Sequence, residues 1–414
     1  SVVRWYAKSS GTTNDKSKFL PVTPEILKGC HYKGGFDPVS IYLQNNPDSH
    51  FFASKGLILG GSHSPSPLNR NAHCGDLSAV LLQNLNPLVN LIRVPDKKII
   101  LMDEWESKIK AIVESTWKTD VNSLSGVPSW MLVLIKAVLQ KTGSEYLTDV
   151  WPNMEVFFHG GISFEPYRDQ YKALIPSDRM HYMETYNASE GFFGLQDNPE
   201  EHSLLLMIDY SVFYEFIPIN EVGEEHPTVL PLEAVEVGKN YAMVITTSGG
   251  LWRYQIGDTV RFTSLYPHKF VISGRTKNFI NAFGEELMVD NADKAISRVC
   301  RQTGAKVKEY TAAPLFMLDK AKGRHQWMIE FEKMPPSLDD FASLLDKTLQ
   351  QLNSDYEAKR YKEISLQPLE IRVAREGTFY EWLRRKGKLG GQHKIPRLSN
   401  DRTFIEELGK ICDS

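Results

Sequence analysis

Along residues 102–118 (MDEWESKIKAIVESTWK) apolar positions recur with helical spacing. Trp105, Ile109, Ile112, Val113 and Trp117 share one face, and acidic residues crowd the first turn, where they oppose the helix dipole. A second helix is predicted over 128–142, opened by Pro128 and closed by Gly143. From 204 to 276 the pattern changes to short runs rich in β-branched and aromatic residues: Leu204–Asp209, Val212–Pro218, Tyr241–Thr247, Arg253–Phe262 and Lys269–Ser273. These read as neighbouring strands, in hairpins or a small barrel. Beyond Gly274-Arg275-Thr276-Lys277 the order is helix (286–302), strand (308–318), strand (325–332), helix (337–352), strand (368–375) and helix (378–386). That is a small α+β unit of short antiparallel strands flanked by helices. The chain is therefore expected to be an α/β protein, divided into a large domain over 1–274 and a small domain over 275–414.

Composition narrows the class. The 414 residues carry 48 Lys+Arg against 51 Asp+Glu, and the hydrophobic share is 42%. That is enough apolar surface for a folded core, which excludes a disordered chain. The near-balanced charge argues against a nucleic-acid binder. The most apolar run, Trp130–Ile135, stops at Lys136, far short of the ~20 residues that span a bilayer, so no membrane partner is expected. Cys30, Cys74, Cys300 and Cys412 are widely spaced, with no CxxC pair. They signal neither a zinc site nor a disulfide framework, and fit a cytoplasmic protein. The chain opens on Ser1-Val2-Val3-Arg4-Trp5, without an initiator Met. This start reads as a cut into the middle of a fold.

Several short motifs could carry chemistry. Ser9-Ser10-Gly11-Thr12-Thr13 follows a strand-like run; small hydroxyl residues around a glycine let backbone N–H groups approach a triphosphate. It is not a Walker A loop, and the plain alternative is a solvated turn. Tyr186-Asn187-Ala188-Ser189-Glu190 offers a ring for a base, a hydroxyl for a phosphate and a carboxylate for Mg2+, or else a surface loop ending in Gly191. In Tyr254-Gln255-Ile256-Gly257-Asp258 the carboxylate could accept from ribose hydroxyls, or the segment is a hairpin turn. Arg275 stands where the domains are expected to divide. Gly160 and Gly161 permit close approach to a flat ligand, and His159 before them reads more readily as a satisfied core or loop residue. Gly390–Arg397 places Lys394 on a glycine-flanked loop, or in a mobile basic tail. HExxH, GxGxxG and GxSxG are absent, which removes the usual metalloprotease, dinucleotide and serine-hydrolase signatures.

Each motif alone is weak, but their order resembles that of the adenylate-forming superfamily. Within it the chain resembles the auxin-responsive acyl-acid amido synthetases, the plant Gretchen Hagen three family and its bacterial relatives. Ser9–Thr13 and Gly391-Gln392-His393-Lys394-Ile395-Pro396-Arg397 are the discriminating segments. The resemblance implies a large multi-sheet N-terminal domain with a β-barrel-like subdomain and a small mobile C-terminal domain, and a truncated start that lacks the helical segment family members carry ahead of the phosphate loop. It implies that Ser9, Ser10, Gly11, Thr12 and Thr13 cradle the ATP phosphates, and that Gly160 and Gly161 border the adenine with Tyr186 stacked on it. It further implies that Ser189 meets the α-phosphate, Glu190 holds Mg2+, Asp258 binds the ribose, Arg275 supports it at the hinge, and Lys394 is the adenylation lysine. Plant members also carry a Lys shortly after the hinge, where this chain has Phe283-Gly284-Glu285-Glu286.

The implied reaction uses ATP and Mg2+ to adenylate a small carboxylic acid, then passes the acyl group to an amine, typically of an amino acid. A thiol acceptor, as in an acyl-CoA or carrier-protein ligase, is the alternative enzyme. A non-catalytic nucleotide or acyl-acid binder is the alternative of another class. The protein is expected to act as a monomer. The acyl pocket is expected to draw on His31–Arg70, with Tyr32, Lys33-Gly34-Gly35-Phe36 and Ser62-His63-Ser64, and on Tyr182–Met183; ordinary packing is the competing reading of these residues.

Overall fold

In the computed structural model, the residues described are 3–9, 18–61, 63–65, 72–165, 167–276, 279–280, 282–283, 285, 287–316, 323–360, 366–387, 389 and 395–413. The two helices predicted over 102–118 and 128–142 form, at Trp105–Thr116 and Pro128–Thr142. Glu104 caps the first by accepting from the N–H of Glu106 (3.0 Å) and Ser107 (2.7 Å). Gly143 ends the second at φ +70°, a left-handed conformation that favours glycine. The Trp105 and Trp130 rings meet edge to face at 4.5 Å, which locks the helices together.

One sheet of twelve strands organises the molecule. Its order is Leu230–Pro231, Val212–Pro218, Asn240–Thr247, Tyr254–Leu265, His268–Arg275, Leu204–Leu206, Gly191–Leu195, His181–Ala188, Val156–Gly160, Val121–Gly126, Lys55–Ile58 and Arg93–Val94. The half from Arg93–Val94 to His181–Ala188 is parallel. From His181–Ala188 onward every pairing is antiparallel. The strands expected as hairpins or a barrel are this antiparallel wing. Their order is linear, so they extend the main sheet and do not close on themselves. A second sheet orders Lys18–Val22, Trp5–Ser9, His73–Gly75 and His63–Pro65.

The C-terminal unit has helices at Val289–Thr303, Leu338–Leu352 and Thr378–Arg385, and strands at Lys306–Phe316, Gly323–Lys333 and Glu370–Ala374. The first two strands are antiparallel, but Glu370–Ala374 runs parallel to Gly323–Lys333. Helix Leu338–Leu352 lies in the connection that brings the chain back to the same end of the sheet, so the all-antiparallel expectation fails at this strand. A final helix, Thr403–Cys412, was not anticipated. One apolar cluster joins Trp105, Ile109, Trp130 and Met131 to Phe379, Leu383, Phe404 and Leu408. The small unit thus packs its C-terminal helices on the two Trp-bearing helices. Among the described residues no helix is long and apolar enough to cross a membrane.

Candidate active site

The sheet changes from parallel to antiparallel at the end of His181–Ala188, where Ser189 and Glu190 form a two-residue hairpin turn between Ala188 and Gly191. The Tyr186–Glu190 motif is therefore a strand and its turn, not a surface loop. In an open α/β sheet such a switch point, at the carboxyl ends of the parallel strands, is where ligands bind. Gly160 ends the adjacent parallel strand. A Cβ there would lie 2.2 Å from the Thr185 carbonyl oxygen, so only glycine fits this close pairing. Gly161 follows at φ +86°.

Asp258 reaches the same place from the antiparallel wing. Gly257, at φ +84°, sits where the register between Asn240–Thr247 and Tyr254–Leu265 slips. This bulge bends the strand and turns Asp258 toward the switch point. The Tyr186 hydroxyl donates to Asp258 Oδ2 at 2.6 Å, and Arg275 Nε pairs with Asp258 Oδ1 at 2.9 Å. A carboxylate has about four acceptor positions, so two remain for a ligand. The Tyr186 ring, expected to stack on a base, is 6% exposed and meets the edges of Phe193 (5.0 Å) and Phe270 (6.1 Å). A base could meet only the part of the ring that faces the cavity.

Gly160, Gly161, Tyr186, Ser189, Glu190, Asp258 and Arg275 all line one cavity of about 820 Å³. Trp105, Trp130, Val133 and Ile162 of the large unit and Phe379 and Leu383 of the small one also line it. They give the cavity an apolar patch beside its charged groups. From the segment His31–Arg70 only Ile58, Leu59, Gly60 and Gly61 line it, among the described residues. Lys33-Gly34-Gly35-Phe36 is instead part of helix Tyr32–Asn45, where a Cβ on Gly34 would strike the Phe192 ring at 2.2 Å. Tyr182 and Met183 are packed into hydrophobic clusters and do not line the cavity. For these residues ordinary packing is the correct reading.

Ser10, Gly11, Thr12, Thr13 and Lys394 lie outside the described residues. The strands that flank the Ser9–Thr13 motif are an antiparallel pair with Ser9 opposite Lys18. Lys18 Nζ donates to the Tyr254 hydroxyl at 3.2 Å, which ties this hairpin to the strand that carries Asp258.

Most carboxylates of the cavity are engaged. Glu165 pairs with Arg168 (3.2 Å) and Arg301 (3.3 Å), and Asp290 with Arg261 and Lys294 (both 3.0 Å). Asp293 accepts from the Tyr310 hydroxyl at 2.5 Å. Glu309 pairs with Arg397 (2.8 Å), Glu330 with Lys308 (3.1 Å) and Glu332 with Lys136 (3.0 Å). Two have no partner side chain among the described residues: Glu190 and Glu184. Burial raises the Glu190 pKa, its own backbone N–H opposes this, and Asp258 adds to it. Burial also raises that of Glu184, to about 7; Arg168 opposes the shift, while Asp290 and Glu165 add to it. Glu184 escaped notice in the sequence. The signal was its place two residues before Tyr186, on the same face of one strand. His159 is 2% exposed, lies against Phe164 at 4.2 Å, and is held neutral by burial, which lowers its pKa to about 3. Its ring packs as a core residue, though neither nitrogen has a partner among the described residues.

No group of three or more His, Cys, Asp or Glu able to hold a metal exists among the described residues. A hard cation here would rest on Glu190 together with oxygens of a bound phosphate and water, which is how Mg2+ is usually held beside a nucleotide. The unpartnered Glu190 carboxylate fits that arrangement.

This fold is that of the adenylate-forming enzymes. It matches the solved structure of the GH3.15 acyl acid amido synthetase with a TM-score of 0.78 at 18% identity, covering 99% of this chain and 81% of that one. It also matches a 2-hydroxyisobutyryl-CoA ligase, with a TM-score of 0.57 at 12% identity, covering 100% of this chain and 77% of that one. Three models describe successive parts of the chain: the GH3 family N-terminal domain over residues 1–180, the central domain over 205–275 and the C-terminal domain over 290–403. The chain belongs to the GH3 family. It is 28% identical over 449 residues to the indole-3-acetic acid-amido synthetase GH3.4 of Arabidopsis thaliana, covering 99% of this chain and 70% of the relative. It is 27% identical over 347 residues to the 4-substituted benzoates-glutamate ligase GH3.12 of the same plant, covering 75% and 59%. Against the relative GH3.3 of that plant the chain spans only 46% of the relative's length.

Proposed function

We propose that the protein is an ATP-dependent acyl-acid amido synthetase that works as a cytosolic monomer. The observation that carries this is the meeting of Tyr186, Asp258, Arg275 and the unpartnered Glu190 at the sheet's switch point, in a cavity that also holds an apolar patch. Asp258 accepts from the ribose hydroxyls and is held in place by Tyr186 and Arg275. Ser189 meets the α-phosphate. Ser9, Ser10, Gly11, Thr12 and Thr13 cradle the β- and γ-phosphates. Gly160 and Gly161 border the adenine. Glu184, registered opposite His159 in the neighbouring strand, presents an acceptor at the base end.

A carboxylate oxygen of the acid attacks the α-phosphorus, the bond to the β-phosphate bridging oxygen breaks, and pyrophosphate leaves. A neutral amine then attacks the acyl carbon, the bond to the AMP oxygen breaks, and the nitrogen gives up its extra proton. Mg2+ on Glu190 would offset the repulsion between carboxylate and triphosphate, and Lys394 adds a further positive charge. The large domain, residues 1–274, binds ATP and acid, and the small domain, 275–414, turns about Arg275 between the two steps. Trp105, Trp130 and Val133 in the apolar patch suit a small acid with an apolar body. The test is product analysis by mass spectrometry: ATP, Mg2+, a panel of small acids and either amino acids or CoA. The proposal expects amides and AMP; thioesters alone would replace it with a CoA ligase.

A further inference from the structure

Several polar contacts join the small unit to the large one, among them Glu165 with Ser297 and Arg301; one of them is a buried cluster that the proposed chemistry does not use. Residues 395–399 are stapled to the strand Lys306–Phe316. Thr311 Oγ1 donates to the Pro396 carbonyl at 2.7 Å, the Ala312 N–H to the Arg397 carbonyl at 2.9 Å, and the Ser399 N–H to the Ala312 carbonyl at 3.1 Å. From this segment the Arg397 guanidinium reaches across to the large unit. It pairs with Glu309 of its own unit at 2.8 Å, lies 4.5 Å from the centre of that unit's Tyr310 ring, and donates across the gap to the Tyr167 hydroxyl at 2.9 Å. Tyr167 in turn donates to Glu309 Oε1 at 3.2 Å, which closes a three-membered ring of bonds between the units. Tyr167 is 3% exposed, and the Arg397 and Glu309 side chains are 14% and 19% exposed. Breaking the ring leaves a buried charge short of partners, so the cluster is held all together or not at all.

A planar guanidinium that is paired, stacked and hydrogen-bonded at once has little freedom, which distinguishes it from the exposed Lys136–Glu332 pair that also crosses the gap. Arg397 stands three residues after Lys394 in the chain. The latch therefore fixes, relative to the large unit, residues 395–399, which follow Lys394 directly in the sequence.

We infer that Tyr167, Arg397 and Glu309 form an inter-domain latch whose closure positions the small domain for adenylation and whose release permits amine transfer. This rests on the proposed two-step reaction. Tyr167 and Arg397 act through the domain arrangement, so they are positioning residues.

Tyr167→Phe removes one hydroxyl and keeps the ring in its place. Arg397→Lys keeps a cation for Glu309 and loses the fork that reaches Tyr167. Each should lower carboxylate-dependent ATP–pyrophosphate exchange about tenfold, the usual effect of losing a hydrogen bond to a charged group. Single-turnover transfer from preformed acyl-adenylate to the amine should stay within about twofold of the parent or rise, because release is no longer slow. Small-angle X-ray scattering of the substrate-free proteins should show a broader pair-distance distribution in both variants. Equal losses in both half-reactions, or no loss in either, would overturn the latch. A parent protein without exchange activity would overturn the proposed reaction instead. The scattering comparison would then decide the latch, with unchanged profiles counting against it.

Discussion

The Tyr186 hydroxyl donates to Asp258 at 2.6 Å, joining two residues 72 positions apart in the chain across the sheet's switch point. Arg275 holds the other carboxylate oxygen. Asp258 is thereby fixed in direction before any ligand arrives, which lowers the ordering cost of binding. Asp258→Ala should weaken ATP binding by about 1.5–3 kcal/mol, and Tyr186→Phe, which loses only the orienting bond, by about 1 kcal/mol. Titration calorimetry with a non-hydrolysable ATP analogue reads both. Equal and negligible effects would place the ribose elsewhere.

Glu190 and Asp258 carry different burdens and should separate kinetically. Glu190→Gln keeps the side chain's shape and removes its charge. It should lower kcat about a hundredfold and shift the Mg2+ dependence to higher concentration, with a much smaller change in the ATP KM. A variant with normal turnover and a normal Mg2+ titration would remove Glu190 from the metal site.

Glu184 gives the protein a pH-dependent weakness. Its folded pKa, about 7, stands above the usual 4.5, so the folded state holds the extra proton between those values. Its contribution to stability is full below about pH 4.5 and is lost as pH rises through 7. Glu184→Gln, which never ionises, should therefore match the parent in acid and exceed it at pH 8 by roughly 1–3 kcal/mol. Denaturant unfolding at pH 5 and pH 8 measures the difference. A gain that is the same at both values would show that charge burial is not the cause.

Gly160 tests the close pairing beneath the site. An added Cβ would meet the Thr185 carbonyl oxygen at 2.2 Å, and backbone cannot yield as a side-chain end can. Gly160→Ala should cost about 1–3 kcal/mol of stability, in the range typical of overpacking. It should also weaken nucleotide binding, since the proposed adenine site lies against the displaced strand end. Thermal unfolding with and without ATP reads both effects.

The sequence pattern gave good access to elements and poor access to how they meet. Helices at 105–116 and 128–142 were legible because Trp105, Ile109 and Ile112, or Trp130, Leu134 and Val138, repeat at helical spacing. The strands from 212 to 275 were legible by their β-branched and aromatic runs. The bulge at Gly257 was not, because a register slip belongs to two strands and leaves no mark in one. Tyr186 drew a reading from its aromatic ring alone. In the structure its ring is mostly committed to Phe193 and Phe270, and its hydroxyl carries the specific contact. A single glutamate in an alternating strand looks solvent-facing, and only the fold reveals that Glu184 faces a cavity without a partner. The parallel return of Glu370–Ala374 depended on the crossover, which strand composition does not encode.

The central claim is that this cavity activates a carboxylate at the α-phosphate of ATP. Carboxylate-dependent exchange of labelled pyrophosphate into ATP measures that step alone, without an amine. Across a panel of small acids with apolar bodies, the account predicts exchange with at least one acid, absent without acid and strongly reduced in Glu190→Gln. Nucleotide binding by the parent protein with no exchange for any acid would contradict it, and would leave a binding protein in place of an enzyme.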